Sequence, residues 1–139
     1  MNVHNKIRNE IIDLIRNALP SVDNYFNGRV FLTGGIKEQL PAVSVYLSDA
    51  KCEVIALSGV SEWSADLNIG ILIPFNQGEE KLDEIAEVIN NLIKFDGYEN
   101  IISADPASYD YEYDDDGIWL AGLLTYSIKY QRDSHRYEP

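Results

Sequence analysis

The segment SYDYEYDDDGIWLAGLLTYSIKYQR, residues 108–132, decides how this chain folds. Tyr109, Tyr111 and Tyr113 stand two apart with acidic residues between them, a strand spacing that places the rings on one side and the carboxylates on the other. Residues 114–117, Asp-Asp-Asp-Gly, suit a tight turn because Asp and Gly tolerate left-handed backbone. The β-rich run that follows can pair back onto the tyrosine strand. The segment therefore predicts a C-terminal β-hairpin with an acidic tip.

Upstream of the hairpin, helical and strand patterns alternate. Apolar residues recur at three-and-four spacing over residues 2–19 and again over 79–95, which predicts two helices. Strict alternation over residues 62–74 predicts a long strand with one buried face. We further predict short strands at 29–32, 42–47 and 51–57, and loops or turns at 21–28, 48–50, 58–61 and 98–106. This order of elements predicts an α+β fold, with two helices packed on one face of a mostly antiparallel β-sheet.

Capping residues and chain length set the expected boundaries. Asn76 and Glu79 have the spacing of a capping box at the start of the second helix, and Gly97 suits a C-terminal cap. The length of 139 residues suggests one domain, residues 1–139. Its last residues, 131–139, are expected to form a flexible tail.

Charge and apolar pattern argue against several classes of protein. A formal net charge of −12 repels phosphate groups, so neither nucleic acid nor an anionic membrane is an expected partner. The longest apolar run, residues 69–75, falls well short of the roughly 20 residues that span a bilayer. The single cysteine, Cys52, cannot form an internal disulfide, which fits a reducing cytoplasm. We expect it to be a buried or half-buried core thiol.

Catalytic patterns are missing from the sequence. The two histidines, His4 and His135, lie near the ends of the chain, where surface polar roles are expected rather than the rigid placement of a catalytic triad. No residues have zinc-ligand spacing, and Gly34-Gly35 lacks the pattern of a phosphate-binding loop. We therefore predict that the chain is not an enzyme and needs no cofactor.

The acidic turn is the one candidate for metal binding. Glu112, Asp114 and Asp116 followed by Gly117 match the first half of a calcium loop. The acid required at the twelfth position falls on Leu123, so these three carboxylates are candidates only for a low-affinity Mg²⁺ or Ca²⁺ site. The alternative is a solvated turn whose charge discourages pairing between sheet edges.

Aromatic residues of the hairpin suggest contacts between subunits. Tyrosine is enriched at protein interfaces, although the same rings can instead cap the edge of a sheet, and both interpretations stay open. The last strand is apolar on both sides near its start, while two helices cover only one face. A second subunit is therefore the expected cover. The candidate interface residues are Tyr109, Tyr111, Tyr113, Asp114, Asp115, Asp116, Trp119 and Tyr126.

Several short motifs follow one another along residues 40–130. They are LPAVSVYL at 40–47, WSADLNI at 63–69, YDY at 109–111, DDDG at 114–117 with Trp119, and LTYSIKY at 124–130. Their order and approximate spacing resemble those of the lambda-type minor tail protein U family, the tail terminator proteins of long-tailed bacteriophages. The first helix fits in place.

That resemblance implies a structural, non-enzymatic protein of the virion, made in the host cytoplasm and located at the head-proximal end of the tail. Such proteins form a hexameric ring on the major tail tube protein, stop tube polymerisation and present the surface to which the head-completion protein binds. DNA passes through the ring without specific binding. Because charge repulsion between acidic copies is screened by ions, we expect salt or Mg²⁺ to promote the ring.

Two alternatives fit the same residues. The first is another head–tail joining or tail-completion protein with a similar α+β architecture, which microscopy of the virion would distinguish. The second is a metal-dependent enzyme that uses Asp114, Asp115 and Asp116. Stoichiometric Mg²⁺ or Mn²⁺ binding together with hydrolytic activity would favour that enzyme.

Overall fold

The computed structural model describes residues 2–30, 36–93 and 100–133. Their helices and strands, in chain order, are α1 (Asn2–Ala18), β1 (Asn24–Asn27), β2 (Ala42–Ile55), β3 (Val60–Pro74), α2 (Gly78–Leu92), β4 (Ser103–Tyr113) and β5 (Trp119–Asp133). Short 3-10 helices span Ile36–Gln39 and Phe75–Gln77. Within these ranges, neither α-helix is long and apolar enough to cross a membrane.

The five strands form one sheet in the order β1-β2-β3-β5-β4. The short β1 runs parallel to β2, and every other pair is antiparallel. Strand β3 lies at the centre of the sheet. Its 15 residues pair with β2 along one edge and with β5 along the other. The predicted α+β class and the predicted C-terminal β4–β5 hairpin are both confirmed.

Both helices cover the same face of the sheet. Helix α1 lies over β1 and β2, and α2 lies over β5 and β3. The apolar stripes of the two helices bury Ile7, Ile11, Leu82 and Ile89 in one core with the inward side chains of β3. Burial of this common face accounts for the helix-period pattern on either side of a strand-period pattern.

The other face of the sheet is partly covered by the segment that follows β1. The guanidinium of Arg29 stacks 4.4 Å from the centre of the Tyr46 ring. Beyond it, Asn68 is buried, donates to Ser48 Oγ at 2.9 Å and accepts from Thr125 Oγ1 at 3.1 Å. Asn68, Ser48 and Thr125 on this face are therefore hydrogen-bonded to one another. Part of this face is thus covered by the chain itself and not by a second subunit.

Three predictions in the N-terminal half, a loop, a strand and a turn, are wrong. Residues 24–27 form β1 inside the predicted loop 21–28, because pairing with β2 rather than any local pattern makes them extended. Arg29 and Val30 are not in a strand, and the rest of the predicted strand 29–32 lies outside the described residues. The predicted turn at 48–50 is an irregularity within one continuous strand, where Asp49 has φ 55° and the register shifts.

Boundaries around the second helix and at the C-terminus also differ from prediction. Helix α2 begins at Gly78 after Gln77 with no side-chain cap, so the Asn76–Glu79 capping box is wrong. It ends at Leu92, and the predicted cap at Gly97 lies outside the described residues. Strand β4 starts at Ser103, within the predicted linker. Strand β5 pairs as far as Asp133, so residues 131–133 belong to the sheet rather than to a tail.

Two single-residue expectations fail for tertiary reasons. Cys52 is exposed rather than buried, because it lies on the outer part of β2 that no helix reaches. His4 is not a free surface residue, since its Nε2 lies 2.6 Å from the hydroxyl of the buried Tyr130. The other histidine, His135, lies outside the described residues.

Candidate functional site

The acidic turn between β4 and β5 is held by its first residue. The Gly117 amide donates to the Asp114 carbonyl oxygen at 2.9 Å, and the Ile118 amide donates to Asp114 Oδ2 at 3.1 Å. Gly117 has φ 72°, a conformation that costs glycine little. Asp114 is therefore a turn-forming residue, while Asp115 and Asp116 project into solvent.

Two tyrosines of β4 are anchored to helix α2. The hydroxyls of Tyr109 and Tyr111 donate to the same oxygen, Asp83 Oδ1, at 2.8 and 2.7 Å. Their rings lie 5.0 Å apart. Gly122 on β5 lets the Tyr109 ring lie close against that strand, because a Cβ at Gly122 would lie 2.8 Å from Tyr109 Cε1. The rings of Tyr109 and Tyr111 thus share one side of β4, as its alternation predicts, and that side faces α2.

Burial and the shared carboxylate favour the protonated form of the two phenols. Burial, reinforced by the hydrogen bond to Asp83, raises the pKa of Tyr109. The hydrogen bond to Asp83 is the main cause that raises the pKa of the exposed Tyr111. Both hydroxyls are therefore donors at neutral pH, a role that suits positioning and contact rather than acid–base chemistry.

A groove of about 510 Å³ runs between α2 and β4. Asp83, Glu87 and Asn90 line it from the helix, and Tyr109 and Tyr111 line it from the strand. The solvent side of α2 next to the groove is also acidic, since it exposes Glu80 and Glu84. This part of the surface combines carboxylates with aromatic rings, a chemistry that suits a cationic side chain.

The predicted interface residues are divided between surface and core. Tyr113 is 66% exposed and Trp119 is half-buried at the opposite end of the turn. Tyr126 is 1% exposed and donates to Asn90 Oδ1 at 2.7 Å, so it ties the sheet to α2 inside the subunit. Tyr126 is therefore a core residue and offers no side-chain surface to a partner.

The three candidate metal ligands are not brought together. Asp114 holds the turn, whereas Glu112 lies on the other face of the sheet beside Ala121 and Leu123. Among residues 2–30, 36–93 and 100–133, no three His, Cys, Asp or Glu side chains are placed to share a metal ion. The alternation that puts tyrosines on one side of β4 also separates Glu112 from the groove.

Two surface features were not predicted. The end of the β2–β3 hairpin exposes Val54, Ile55 and Leu57, the last of them fully. The sequence signal for this feature is the apolar run Val-Ile-Ala-Leu before a Ser-Gly turn. The run alone does not show that the helices fail to cover these side chains.

Arginines lie along the β1 edge of the sheet, at the opposite end of the strand order from β4. Arg8 Nε donates to Asn27 Oδ1 of β1, and the guanidinium of Arg16 lies 5.1 Å from the centre of the Tyr25 ring. Helical spacing places these arginines two turns apart on α1. The sequence shows the spacing but not the neighbouring strand, because β1 itself was not predicted.

Comparisons with known proteins agree with this architecture. The model of the family described as phage minor tail protein U matches residues 2–130. The tail tube terminator protein of Escherichia phage N15 is 35% identical over 132 residues, which cover 91% of this chain and 97% of that protein. The tail tube terminator protein of Escherichia phage lambda is 30% identical over 135 residues, which cover 92% and 98%.

A solved structure supports the fold alone. A chain in the virion of a native gene transfer agent particle superposes with a TM-score of 0.66 at 8% identity, covering 91% of this chain and 95% of that one. Because the sequence family matches nearly the whole chain, the assignment does not depend on this distant likeness. The chain belongs to the phage minor tail protein U family.

Proposed function

We propose that this chain is the tail tube terminator of a long-tailed phage, a structural protein of the virion rather than an enzyme. The observation that carries the proposal is full-length similarity to two tail tube terminator proteins, each covered over at least 97% of its length. In this role the protein binds the end of the tail tube at the head-proximal end of the tail. It stops addition of the major tail tube protein and provides the surface for the head-completion protein.

The proposed assembly is a homohexameric ring. A ring needs two different, complementary surfaces on each subunit, because every copy contacts one neighbour with one surface and the other neighbour with the second. The sheet has two unlike edges, β1 with α1 on one side and β4 with α2 on the other. This asymmetry supports a ring more readily than a symmetric dimer.

The charge of the chain suits a DNA channel. A net charge of −12 per subunit repels the phosphate backbone, so DNA can pass through the ring without binding to it. The exposed carboxylates of Asp115 and Asp116 contribute to that surface or to contacts with a neighbouring virion protein. The half-exposed Trp119 and the exposed Tyr113 flank the same turn and remain proposed contact residues.

Deletion of the gene from its phage tests the proposal. A phage without the terminator should make tails that are abnormally long and are not joined to heads, because nothing stops the tube or presents the joining surface. Electron microscopy of lysates gives the length distribution, and supplying the gene from a plasmid is the control. Tails of normal length attached to heads in the deletion would refute the proposed function.

Ionic conditions test the ring itself. Like charge on every copy opposes association at low ionic strength, and screening weakens that repulsion. We predict that added NaCl or Mg²⁺ shifts the purified chain from monomer toward hexamer, with Mg²⁺ effective at lower concentration because of its higher charge. Sedimentation velocity at low and high salt measures the shift. An unchanged sedimentation coefficient across both series would contradict the prediction.

A further inference from the structure

We propose that the α2–β4 side of one copy binds the α1–β1 side of the next copy in the ring. We call the first side the acidic edge (α2, β4 and the turn to Gly117) and the second the arginine edge (α1, β1, Arg29). The inference rests on the proposed ring and specifies which surfaces meet in it.

The two edges differ strongly in charge. Residues 78–92 and 103–117, which make up the acidic edge, contain eleven carboxylates and one lysine. Residues 2–30, which include the arginine edge, contain four basic and three acidic side chains. Nearly all of the net −12 charge therefore lies toward one side of the molecule. Copies of this chain are repelled by one another on average but attracted when unlike edges meet.

Most arginines of the described residues lie on the β1 side of the sheet. Arg8, Arg16 and Arg29 account for three of the four arginines in the described part of the chain. Arg8 and Arg16 contact β1 from α1, and Arg29, two residues after β1, stacks on Tyr46 on the other face of the sheet. Arginine is enriched at protein interfaces because its planar guanidinium binds carboxylates in two-point fashion and stacks on aromatic rings. Arg16 and Arg29 are both exposed. Arg16 pairs with the exposed Asp13 at 3.6 Å, a solvated contact that a carboxylate of a neighbour can replace at little cost.

The acidic edge has a matching receptor. The groove between α2 and β4 presents Asp83 and Glu87 beside the rings of Tyr109 and Tyr111. Carboxylates next to aromatic faces bind a guanidinium by ion pairing and by cation–π contact together. Because both phenols already donate to Asp83, that carboxylate is held in place before a partner arrives.

Spacing along the helices is compatible with direct pairing. Eight residues separate Arg8 from Arg16, which corresponds to about 12 Å along α1. Seven residues separate Glu80 from Glu87, about 10 Å along α2. Two helices laid side by side thus bring two arginines opposite two carboxylates of similar separation. Arg16 on α1 and both Glu80 and Glu87 on α2 are exposed to solvent.

Position in the sheet makes this contact head-to-tail. Strands β1 and β4 lie at opposite ends of the strand order, and both helices cover the same face. An edge that binds the unlike edge of its neighbour leaves its own second edge free for the next copy, and a suitable rotation closes a ring. The junction pairs are partly buried on contact, so salt screens them less than it screens the repulsion between whole subunits.

Charge reversal on each edge tests the contact with the full chain. One variant carries Arg8→Glu and Arg16→Glu, and a second carries Glu80→Lys and Glu87→Lys. A third chain carries all four changes. A control that matches the arginine variant in charge, Lys51→Glu with Lys129→Glu, alters two exposed lysines on the hairpin and on the other face of β5. Circular dichroism and thermal unfolding verify that each chain is folded.

Sedimentation velocity, under ionic conditions in which the unmodified chain forms hexamers, measures assembly. Each single-edge variant should require at least about tenfold more protein for half assembly, because like charges then face each other at the junction. An equimolar mixture of the two variants, and the chain with all four changes, should recover to within about threefold of the unmodified chain. In both cases every junction again joins opposite charges. The lysine control should assemble like the unmodified chain.

Several outcomes would overturn the proposal. If the unmodified chain forms hexamers and both single-edge variants do so equally well, the edges do not meet, while the proposed terminator function stands. Lack of rescue in both the mixture and the four-change chain, with folded protein, has the same meaning. Variants that form normal rings but fail to join heads to tails would assign the edge to another virion protein. An unmodified chain that never forms a ring would remove this proposal, whereas normal tails in the gene deletion would remove the terminator function.

Discussion

The two hairpins of the sheet differ in how they are supported. The β4–β5 hairpin lies against α2 and is tied to it through Asp83 and Asn90. The outer end of the β2–β3 hairpin extends past both helices, and its residues 49–58 are all exposed. Apolar side chains occur in both, yet Leu124 is buried whereas Ile55 is 74% exposed. Strand pairing alone therefore does not bury a side chain, because a helix or another subunit must cover the face.

The boundary between these regions lies near the start of α1. His4 contacts Tyr130, and Tyr130 pairs with Trp63 on β3. Beyond this point β3 continues for only three residues toward its first residue, Val60. The covered region is expected to contribute most of the folding free energy.

Truncation of a core residue should give the largest effect in this comparison. Ile69→Ala removes a fully buried side chain from the centre of β3 and should lower the free energy of unfolding by about 2–5 kcal/mol through lost burial and a cavity. The matched change Ile55→Ala on the projecting end should alter it by less than about 0.5 kcal/mol. Urea unfolding of the two variants measures the difference. Equal losses would show that the hairpin end is covered in the free subunit.

Removal of the shared carboxylate should give an intermediate effect. Asp83→Ala leaves two tyrosine hydroxyls without their acceptor and should cost about 1 kcal/mol, a value kept low because the site is partly exposed. The pKa of Tyr109 should fall toward its ordinary value, since its hydrogen bond to Asp83 is lost. Urea unfolding and an alkaline absorbance titration measure these changes. Glu84→Ala, which removes a nearby exposed carboxylate, is the control and should change neither.

Tyr109 also makes the free energy of unfolding depend on pH in the alkaline range. Its pKa is raised in the folded state, so its contribution is fully present below the unfolded pKa of about 10 and is lost as pH rises above that value. The total loss should be smaller in Asp83→Ala, because the pKa of Tyr109 in the folded state is lower there and the loss ends at a lower pH. An equal total loss in both chains would mean that Asp83 does not control Tyr109.

Titration of His4, which lies at the boundary of the covered region, should have the smallest effect on stability. Burial, followed by the positive charges of the N-terminus, Arg8 and Arg132, lowers the pKa of His4 below its usual 6.5. Below about pH 6.5 the unfolded chain therefore binds a proton more readily than the folded chain, and stability falls as pH decreases. His4→Gln keeps a polar group beside Tyr130 but does not titrate. Its melting temperature should drop less between neutral pH and about pH 5, and identical drops would contradict the prediction.

Local patterns predicted the elements that have a strong period and missed those that lack one. Both helices, β3 and the β4–β5 hairpin were predicted because their apolar residues repeat at 3.6 or 2 positions. Strand β1, Asn-Tyr-Phe-Asn, has no such repeat and is extended only because β2 lies beside it. The bulge at Asp49 looked like a turn for the same reason, since polar residues interrupt a strand that tertiary pairing continues.

Candidate contact residues were predicted less completely than the fold. Alternation correctly placed Tyr109 and Tyr111 on one side of β4, but it did not show that Asp83, distant in sequence, holds both hydroxyls. It also grouped Tyr126 with the surface tyrosines, although α2 covers that position and buries it. Which side of a strand is covered depends on where the helices lie, and this information is not local.

The sequence by itself determined the α+β class, the acidic character, the C-terminal hairpin and the likeness to tail terminators, because periodicity, charge and ordered motifs can be recognised without coordinates. Only the tertiary structure decided which tyrosines are buried, where helix cover ends, and that the arginines and the carboxylates lie on opposite edges of one sheet. The physical reason is that strand order and helix placement are set by burial of one common face. That burial joins residues far apart in the chain, such as His4 and Tyr130.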